Sequence, residues 1–359
     1  MLHVALIGYG LGGAAFHAPL ISVTAGLSLS AIVTANPVRA AEAHARHPGA
    51  TILASPDDLF TGAVAVDLVV ISTPNITHGP LAERALRAGI PVVVDKPVTA
   101  SSADARRLAK LASDQGVALI PFHNRRWDGD FRTVADLVAK DRLGPVTRFE
   151  SRFERWRPDP TTGSGTAWKE DARPEAAGGI LWDLGPHLID QALVLFGPPS
   201  SVYAERSCRR PGVVVDDDVF VALTFPANDR AHGEVHAHLW LSAVAAQLGP
   251  RFRILGRDAA YVKWGLDGQE AALRAGQVPE SNAWGREAPS SWGHLGIDGD
   301  AEHVPTLPGA YQLFYAGVAA TLHDGAPPPV DLADAILGLE IIEAAHRSAS
   351  TLAVIALPV

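Results

Sequence analysis

The chain has 359 residues, 47% of them hydrophobic and 19% charged, with a formal net charge of −9. That length is long for one hydrophobic core and predicts two domains. The acidic balance argues against nucleic acid or an anionic membrane surface as a partner. A single cysteine, Cys208, allows no internal disulfide and fits a reducing compartment. The N-terminus enters an apolar run at once, Leu2-His3-Val4-Ala5-Leu6-Ile7, without the charged and apolar regions of a secretory signal. No run of about 18 apolar residues suggests a membrane span. The expectation is a soluble cytoplasmic protein.

Residues 1–121 alternate short apolar runs with amphipathic ones. Strands are predicted at Leu2–Ile7, Leu27–Val33, Val66–Ile71, Pro91–Val94 and Val117–Ile120. Helices are predicted at Gly13–Val23, Pro37–Arg46, Thr77–Ala88 and Ser101–Ser113. Such strand–helix–strand repeats predict a doubly wound parallel sheet. Ser55-Pro56-Asp57-Asp58 and Ser101-Ser102-Ala103-Asp104 read as helix starts, each a capping hydroxyl followed by carboxylates.

From 122 to 359 the pattern changes to an α+β domain. A helix is predicted over Trp127–Lys140, then strands at Val146–Trp156, Val202–Ser207, Asp218–Phe225, Ala231–Trp240 and Arg251–Leu255. Runs of strands without crossover helices predict an open, mainly antiparallel sheet. A strongly apolar helix, Gly179–Phe196, interrupts them. Pro158–Gly165 and Gln277–Asp300 read as surface loops. Helices are expected over Pro308–His323 and Asp331–Ser350, the last with the option of packing back on the first domain.

Gly8-Tyr9-Gly10-Leu11-Gly12-Gly13 stands between the first strand and a helix, the context a dinucleotide-binding turn requires. Gly8 and Gly10 would allow a tight turn and close approach of a pyrophosphate, and Gly13 would let helix pack on strand. Gly8, Tyr9, Gly10, Leu11 and Gly13 are therefore cofactor candidates. A glycine turn without ligand is the plainer reading. An NAD site expects a carboxylate at the end of the second strand, to hold the ribose 2′-hydroxyl. Here that strand runs into Thr34-Ala35-Asn36-Pro37-Val38-Arg39, and the first acid is Glu42. Thr34, Asn36 and Arg39 favour NADP, with NAD as the alternative and a solvated Arg39 as the structural one. Ser72, Thr73, Pro74, Asn75 and His78 follow the fourth predicted strand and would line the cofactor, or serve as turn and cap residues.

Val92-Val93-Val94 delivers Asp95 and Lys96 at the carboxyl end of a strand that Pro97 stops, because proline has no N–H for the ladder. Ligands of parallel sheets bind at such ends. Further on, Asp183 and His187 stand four apart and share a helical face, with Asp190 on a similar side. An Asp–His pair with a lysine suits an alcohol–ketone interconversion. A buried helix whose histidine merely satisfies a backbone group is the competing reading. Pro186 either kinks this helix or sits in its first turn with Asp183 in the preceding loop. No metal site is expected. His232, His236 and His238 share a strand face, without a neighbouring ligand to complete one. Trp156, Trp168 and Trp182 serve either as a sugar-binding floor or as core. Arg125, Arg126 and Trp127 open the second domain, with contact to cofactor or substrate as one reading, and His17 reads as structural, with facing the site as the alternative.

The glycine turn, Asp95-Lys96-Pro97 and the Gly178-Gly179 helix with Asp183 and His187 together resemble the Gfo/Idh/MocA oxidoreductase family. The resemblance covers nearly the whole chain. Phe16-His17-Ala18-Pro19-Leu20, Asn124-Arg125-Arg126-Trp127-Asp128, Asp183–Gln191 and Gln269-Glu270 with Trp284-Gly285-Arg286-Glu287 look like its NADP-linked scyllo-inositol dehydrogenase branch. It implies a Rossmann domain joined to a domain with an open sheet, and an NADP-dependent oxidoreductase acting on a cyclic polyol or sugar. It also implies roles. Lys96 would hydrogen-bond the reacting oxygen, His187 would be the general acid–base, and Asp183 would bind substrate hydroxyls or tune that pair. Asn124, Arg126 and Asp95 join Lys96 as cofactor candidates, and Asn124 and Trp168 join Lys96, Asp183 and His187 as substrate candidates. The Lys96–Pro97 bond is often cis in this family. The family usually has Glu where this chain has Asp95. A homodimer or homotetramer is expected, since an open sheet leaves a face to cover. The alternatives are a nucleotide-binding sensor without turnover and a dehydrogenase of a non-sugar carbonyl.

Overall fold

The computed structural model describes residues 1–358 apart from 63, 161–166 and 229–232. The chain forms two compact units. The first comprises residues 1–124, 269–284 and 310–336, and the second comprises 125–268, 285–309 and the residues from Leu337 on.

In the first unit β1 (Leu2–Ile7) leads through a π-helical turn, Gly13–His17, into α1 (Ala18–Ser22). There follow β2 (Leu27–Val33), α2 (Pro37–Arg46), β3 (Thr51–Leu53), α3 (Pro56–Phe60) and β4 (Leu68–Ile71). Then come α4 (His78–Arg87), β5 (Val92–Val94), α5 (Ser102–Gln115) and β6 (Leu119–Pro121). The six strands lie parallel in the order β3-β2-β1-β4-β5-β6. The order reverses between β1 and β4, and such a switch point is where an open α/β sheet binds its ligand. β4 and β5 are buried along their whole length, which is why they read as unbroken apolar runs. Caps set the helix starts. Asn36 accepts from the Val38 and Arg39 N–H groups, Ser55 and Asp58 form a reciprocal box, and Ser101 accepts from Asp104 N–H.

The chain continues through α6 (Gly129–Ala139), β7 (Val146–Glu154), α7 (Ile180–Phe196) and β8 (Ser201–Ser207). Next are β9 (Asp218–Phe225), β10 (Val235–Ser242), β11 (Phe252–Gly256), β12 (Ala260–Lys263) and α8 (Gln269–Arg274). It ends with β13 (Gly293–Ile297), β14 (Asp300–Val304), α9 (Gln312–Asp324), α10 (Leu332–Thr351) and β15 (Ile355–Ala356). Nine strands of the second unit form one sheet, β14-β13-β12-β11-β7-β10-β9-β8-β15, antiparallel except for the β7–β10 pair. α7 packs on β7, β9 and β10.

Among the departures from the sequence-based expectation, two lie in the second half of the chain. The loop expected over 277–300 contains β13, paired to β12 and β14. Its Gly293 is required, because a Cβ there would collide with the Tyr261 ring. Residues 269–284 and 310–336, expected in the second domain, belong to the first unit. Gln269 ties them together, since its Oε1 accepts from Trp284 Nε1 (3.0 Å) and from Tyr311 N (2.9 Å). Tyr311 also packs against Phe16 with ring centroids 6.2 Å apart. Of the loop expected at 158–165, residues 161–165 lie outside the described residues, as do residues 231 and 232 of the expected strand at 231–240.

Gln269→Leu keeps the volume and removes the acceptor. Each buried N–H left behind should cost about 1–3 kcal/mol. Urea denaturation should show a lower midpoint than wild type, and an unchanged midpoint would mean that Gln269 is dispensable for holding these segments.

Candidate functional site

The glycine turn is built by close backbone approach. Gly8 has φ +102°, and a Cβ there would collide with the Ser72 carbonyl, while one on Gly13 would collide with the Gly8 carbonyl. A Cβ on Gly12 would lie 2.5 Å from Ser72 Oγ and 3.0 Å from Asp95 Oδ2. Gly10 differs, because its Cβ position is open except for Arg39 Nη1 at 3.8 Å. This is a cradle of bare backbone with a guanidinium over it, and it fits a phosphorylated nucleotide. The Tyr9 side chain is buried against His47, so only its backbone faces the turn, whereas Leu11 is exposed. Thr34 and Asn36 stand beyond β2, and the Asn36 carbonyl oxygen is already engaged as the cap of α2. Glu42, the first acid, faces Arg46 on the exposed side of that helix.

The carboxyl ends of β4 and β5 form one hydrogen-bonded layer. Ser72 Oγ donates to Asp95 Oδ2 at 2.7 Å. His78 is fully buried, with Nδ1 2.8 Å from the Pro97 carbonyl and Nε2 2.9 Å from the Thr73 carbonyl. It thus joins the loop after β4 to the turn after β5. Burial pushes its pKa down, while the two carbonyls and Asp95 pull the other way. Thr77 Oγ1 donates to Thr73 Oγ1 at 2.7 Å, and Asn75 is buried. Lys96 is half-buried, and the Lys96–Pro97 bond is cis, as the resemblance implies. Burial alone would raise the Asp95 carboxyl. The neighbouring His17, His78 and the Ser72 hydroxyl outweigh this and hold the carboxyl at about 2.

In the second unit Asp183 and His187 lie within α7. The helix runs without a break through Pro186, which is interior, so Asp183 belongs to the first turn rather than to a preceding loop. The start of α7 is fastened by Asp216, whose carbonyl accepts from Ile180 N–H and whose carboxylate accepts from Leu181 N–H. Burial pushes that carboxyl upward. Lys169 Nζ donates to both Asp183 oxygens at 2.9 Å and lies 5.5 Å from the centre of the Trp168 ring. His187 is buried beside Phe153, with ring centroids 6.4 Å apart. Arg126 grips Asp190 through Nη2 at 2.6 Å and Nε at 2.9 Å. The Arg126 guanidinium, a cofactor candidate in sequence, is therefore engaged within the second unit. Asn124, the last residue of the first unit's opening segment, is buried.

The first unit's residues 2–123 match the model of the oxidoreductase family with an NAD-binding Rossmann fold, and residues 131–262 match the Gfo/Idh/MocA C-terminal domain. The chain is 34% identical over 351 residues to scyllo-inositol 2-dehydrogenase (NADP(+)) IolW of Bacillus subtilis, covering 97% of this chain and 93% of that one. It is 38% identical over 353 residues to the uncharacterised oxidoreductase YdgJ of Escherichia coli, covering 97% and 96%. Among solved structures, the oxidoreductase YvaA of Bacillus subtilis superposes with a TM-score of 0.90 at 34% identity, covering 100% of this chain and 99% of that one. The chain belongs to the Gfo/Idh/MocA oxidoreductase family. It is an NAD(P)-dependent oxidoreductase with a Rossmann domain and a second, mainly antiparallel domain.

Within this Gfo/Idh/MocA member Gly8, Gly10, Arg39, Ser72, Thr73, His78, Asp95 and Lys96 fall in the first unit, and Trp168, Asp183 and His187 in the second. Sequence reasoning missed Gly12, whose lack of a Cβ admits the Ser72–Asp95 pair, and Lys169, which holds Asp183. It also favoured a structural role for His17 over one facing the site, and His17 Nε2 lies 3.3 Å from Asp95 Oδ2. Of the other tryptophans, Trp156 is exposed and Trp182 stacks on His346. His236 faces Glu234, His238 packs beside Phe220 and Trp240, and His232 lies outside the described residues. Among the described residues, no group of three or more metal-ligating side chains is found, and no helix is long and apolar enough to cross a membrane.

The depressed Asp95 carboxyl gives a stability term with a definite sign. It is fully present above the ordinary value of 3.8 and is lost as pH falls from there towards about 2. The difference in urea midpoint between wild type and Asp95→Asn should therefore be constant at neutral pH and shrink below about pH 4. A difference that grows on acidification would contradict this assignment.

Proposed function

We propose that this oxidoreductase uses NADP and interconverts a secondary alcohol and a ketone on a cyclic polyol of the inositol kind, with other sugars as the neighbouring class. One observation carries the cofactor reading. Arg39 reaches over the bare backbone of Gly10, and no carboxylate stands at the end of β2 to repel a 2′-phosphate. The substrate reading is supported by the relative named scyllo-inositol 2-dehydrogenase (NADP(+)). It is supported also by the pairing of Asp183 with Lys169, a donor–acceptor set suited to hydroxyl groups.

When bound, the nicotinamide cofactor supplies or takes the hydride. Gly8, Tyr9, Gly10, Leu11 and Gly13 would hold its pyrophosphate, chiefly through backbone. Thr34, Asn36 and Arg39 would take the 2′-phosphate, and Ser72, Thr73, Pro74, Asn75 and His78 would flank the remainder. Lys96 donates to the reacting oxygen and favours the alkoxide over the neutral alcohol. His187 exchanges the hydroxyl proton, a task suited to imidazole near neutral pH. Asp183 accepts from substrate hydroxyls while Lys169 holds it in place, and Asn124 and Trp168 complete the substrate contacts. The enzyme works as a homodimer or homotetramer, covering the half-buried Phe220 and Trp240 of the nine-stranded sheet. The lone cysteine, Cys208, suits work in the cytoplasm.

The test is reduction of a panel of inososes and keto-sugars with NADPH and NADH. NADPH should be preferred, and Arg39→Ala should raise its KM by about tenfold, the loss of one charge-assisted contact, with little effect on NADH. A preference for NADH in wild type would overturn the cofactor reading. Lys96→Met should lower kcat by about 10²–10⁴ while NADPH binding persists. Near-normal turnover in that variant would sink the mechanism.

A further inference from the structure

His17 and Tyr315 are fully buried polar residues that the proposed chemistry does not use. His17 lies in the π-helical turn after the glycine motif, where an extra residue per turn changes which side chains point inward. Tyr315 comes from α9, almost three hundred residues later. The two meet with Tyr315 Oη 2.6 Å from His17 Nδ1. On the other side of the ring, Nε2 lies 3.3 Å from Asp95 Oδ2, the oxygen that also accepts from Ser72 at 2.7 Å. Phe122 packs on the imidazole with centroids 4.2 Å apart, and Phe314 packs on Phe122 at 4.8 Å.

We propose that Tyr315 and His17 are positioning residues, which fix the Asp95 carboxylate and through it the adjoining Lys96. The inference rests on the role given to Lys96 above. The order of donors follows from chemistry. A carboxylate can only accept, so the His17 proton belongs on Nε2. That leaves Nδ1 as an acceptor and makes the Tyr315 hydroxyl its donor. Burial and the Asp95 charge push the Tyr315 hydroxyl well above its usual value, so it keeps the proton it donates. A histidine held in one tautomer by a third group and turned on a carboxylate is a device for orientation. Apolar side chains would fill the same space without the desolvation cost of a buried polar chain, so packing alone does not account for it. The network also answers why this chain carries Asp95 rather than the family's usual Glu. One methylene more would carry the carboxylate off the point where Ser72 and His17 converge.

Two arms test this. In the first, ¹⁵N NMR of the imidazoles at pH 8 should show His17 as a single Nε2–H tautomer in wild type. Tyr315→Phe should turn it into a tautomer mixture. A mixture already present in wild type, or no change in the variant, would overturn the network whatever the enzyme's substrate. The second arm is kinetic. His17→Leu and Asp95→Glu should lower kcat by about 10- to 100-fold, the scale of small displacements of reacting groups, with NADPH Kd within about threefold. His17→Gln, which keeps a donor towards Asp95, should recover most of that loss. Equal kcat in His17→Leu and wild type, or loss that follows thermal stability without rescue by Gln, would overturn the positioning role. Failure of wild type to reduce any ketone in the panel would instead overturn the functional reading, and the NMR arm would still decide the network.

Discussion

The first unit is governed by a spatial constraint at the carboxyl ends of β1, β4 and β5, where backbone meets backbone with no room for side chains. Gly8 rests on the Ser72 carbonyl, Gly13 on the Gly8 carbonyl, and Gly12 on the Ser72 hydroxyl and Asp95. Parallel strands bring these segments together, and the reversal of strand order between β1 and β4 opens the cleft that they line. Everything polar nearby has to be satisfied at short range, because the strands beneath are buried on both faces. Ser72 and His78 do this by linking one loop to the next. The same closeness therefore determines where the Asp95 carboxylate can stand.

The second unit uses a different means to the same end. Asp183 and His187 are positioned by a long helix rather than by loops, and that helix is held at its start by Asp216 and along its length by β7, β9 and β10. Gly179, with φ +101° and no space for a Cβ beside the Asp216 carboxylate, permits the tight entry. The Asp190–Arg126 pair secures the next turn. A site whose charged groups sit on packed helix turns keeps its geometry better than one carried on surface loops.

The legible parts of the fold were those with local periodicity. β1, β2, α2 and β9 match their predicted ranges residue for residue, because each is either a continuous buried run or a regular amphipathic one. β3 escaped notice, since three residues on a sheet edge carry little pattern. β13 and β14 were hidden by exposed edge positions and by glycines, which read as loop composition. The return of 269–284 and 310–336 to the first unit was not readable, because it depends on Gln269 meeting Trp284 and Tyr311. Such contacts across sequence leave no periodic trace. Motifs placed Lys96, Asp183 and His187 on the elements expected of them, but not the contacts around them, Lys169 at Asp183 and His17 at Asp95.

His17 shows why such partners stay hidden. On an α-helical wheel a lone histidine among Ala15, Phe16, Ala18 and Pro19 is a core residue satisfying some backbone group. The π-helical turn alters that wheel locally, and π-turns are common where a helix has been adapted to a site. Its two ring partners are equally uninformative by themselves, a tyrosine in an apolar helix and a carboxylate before a lysine. The departure of Asp95 from the family pattern was the one trace in sequence, and by itself it signalled an altered contact without naming the residue contacted. The shorter side chain and the buried imidazole are complementary, since an aspartate at this strand end reaches Ser72 and His17 through the same oxygen. A one-methylene difference next to Lys96 is then best understood as one half of a matched pair, whose other half lies 78 residues earlier in the chain.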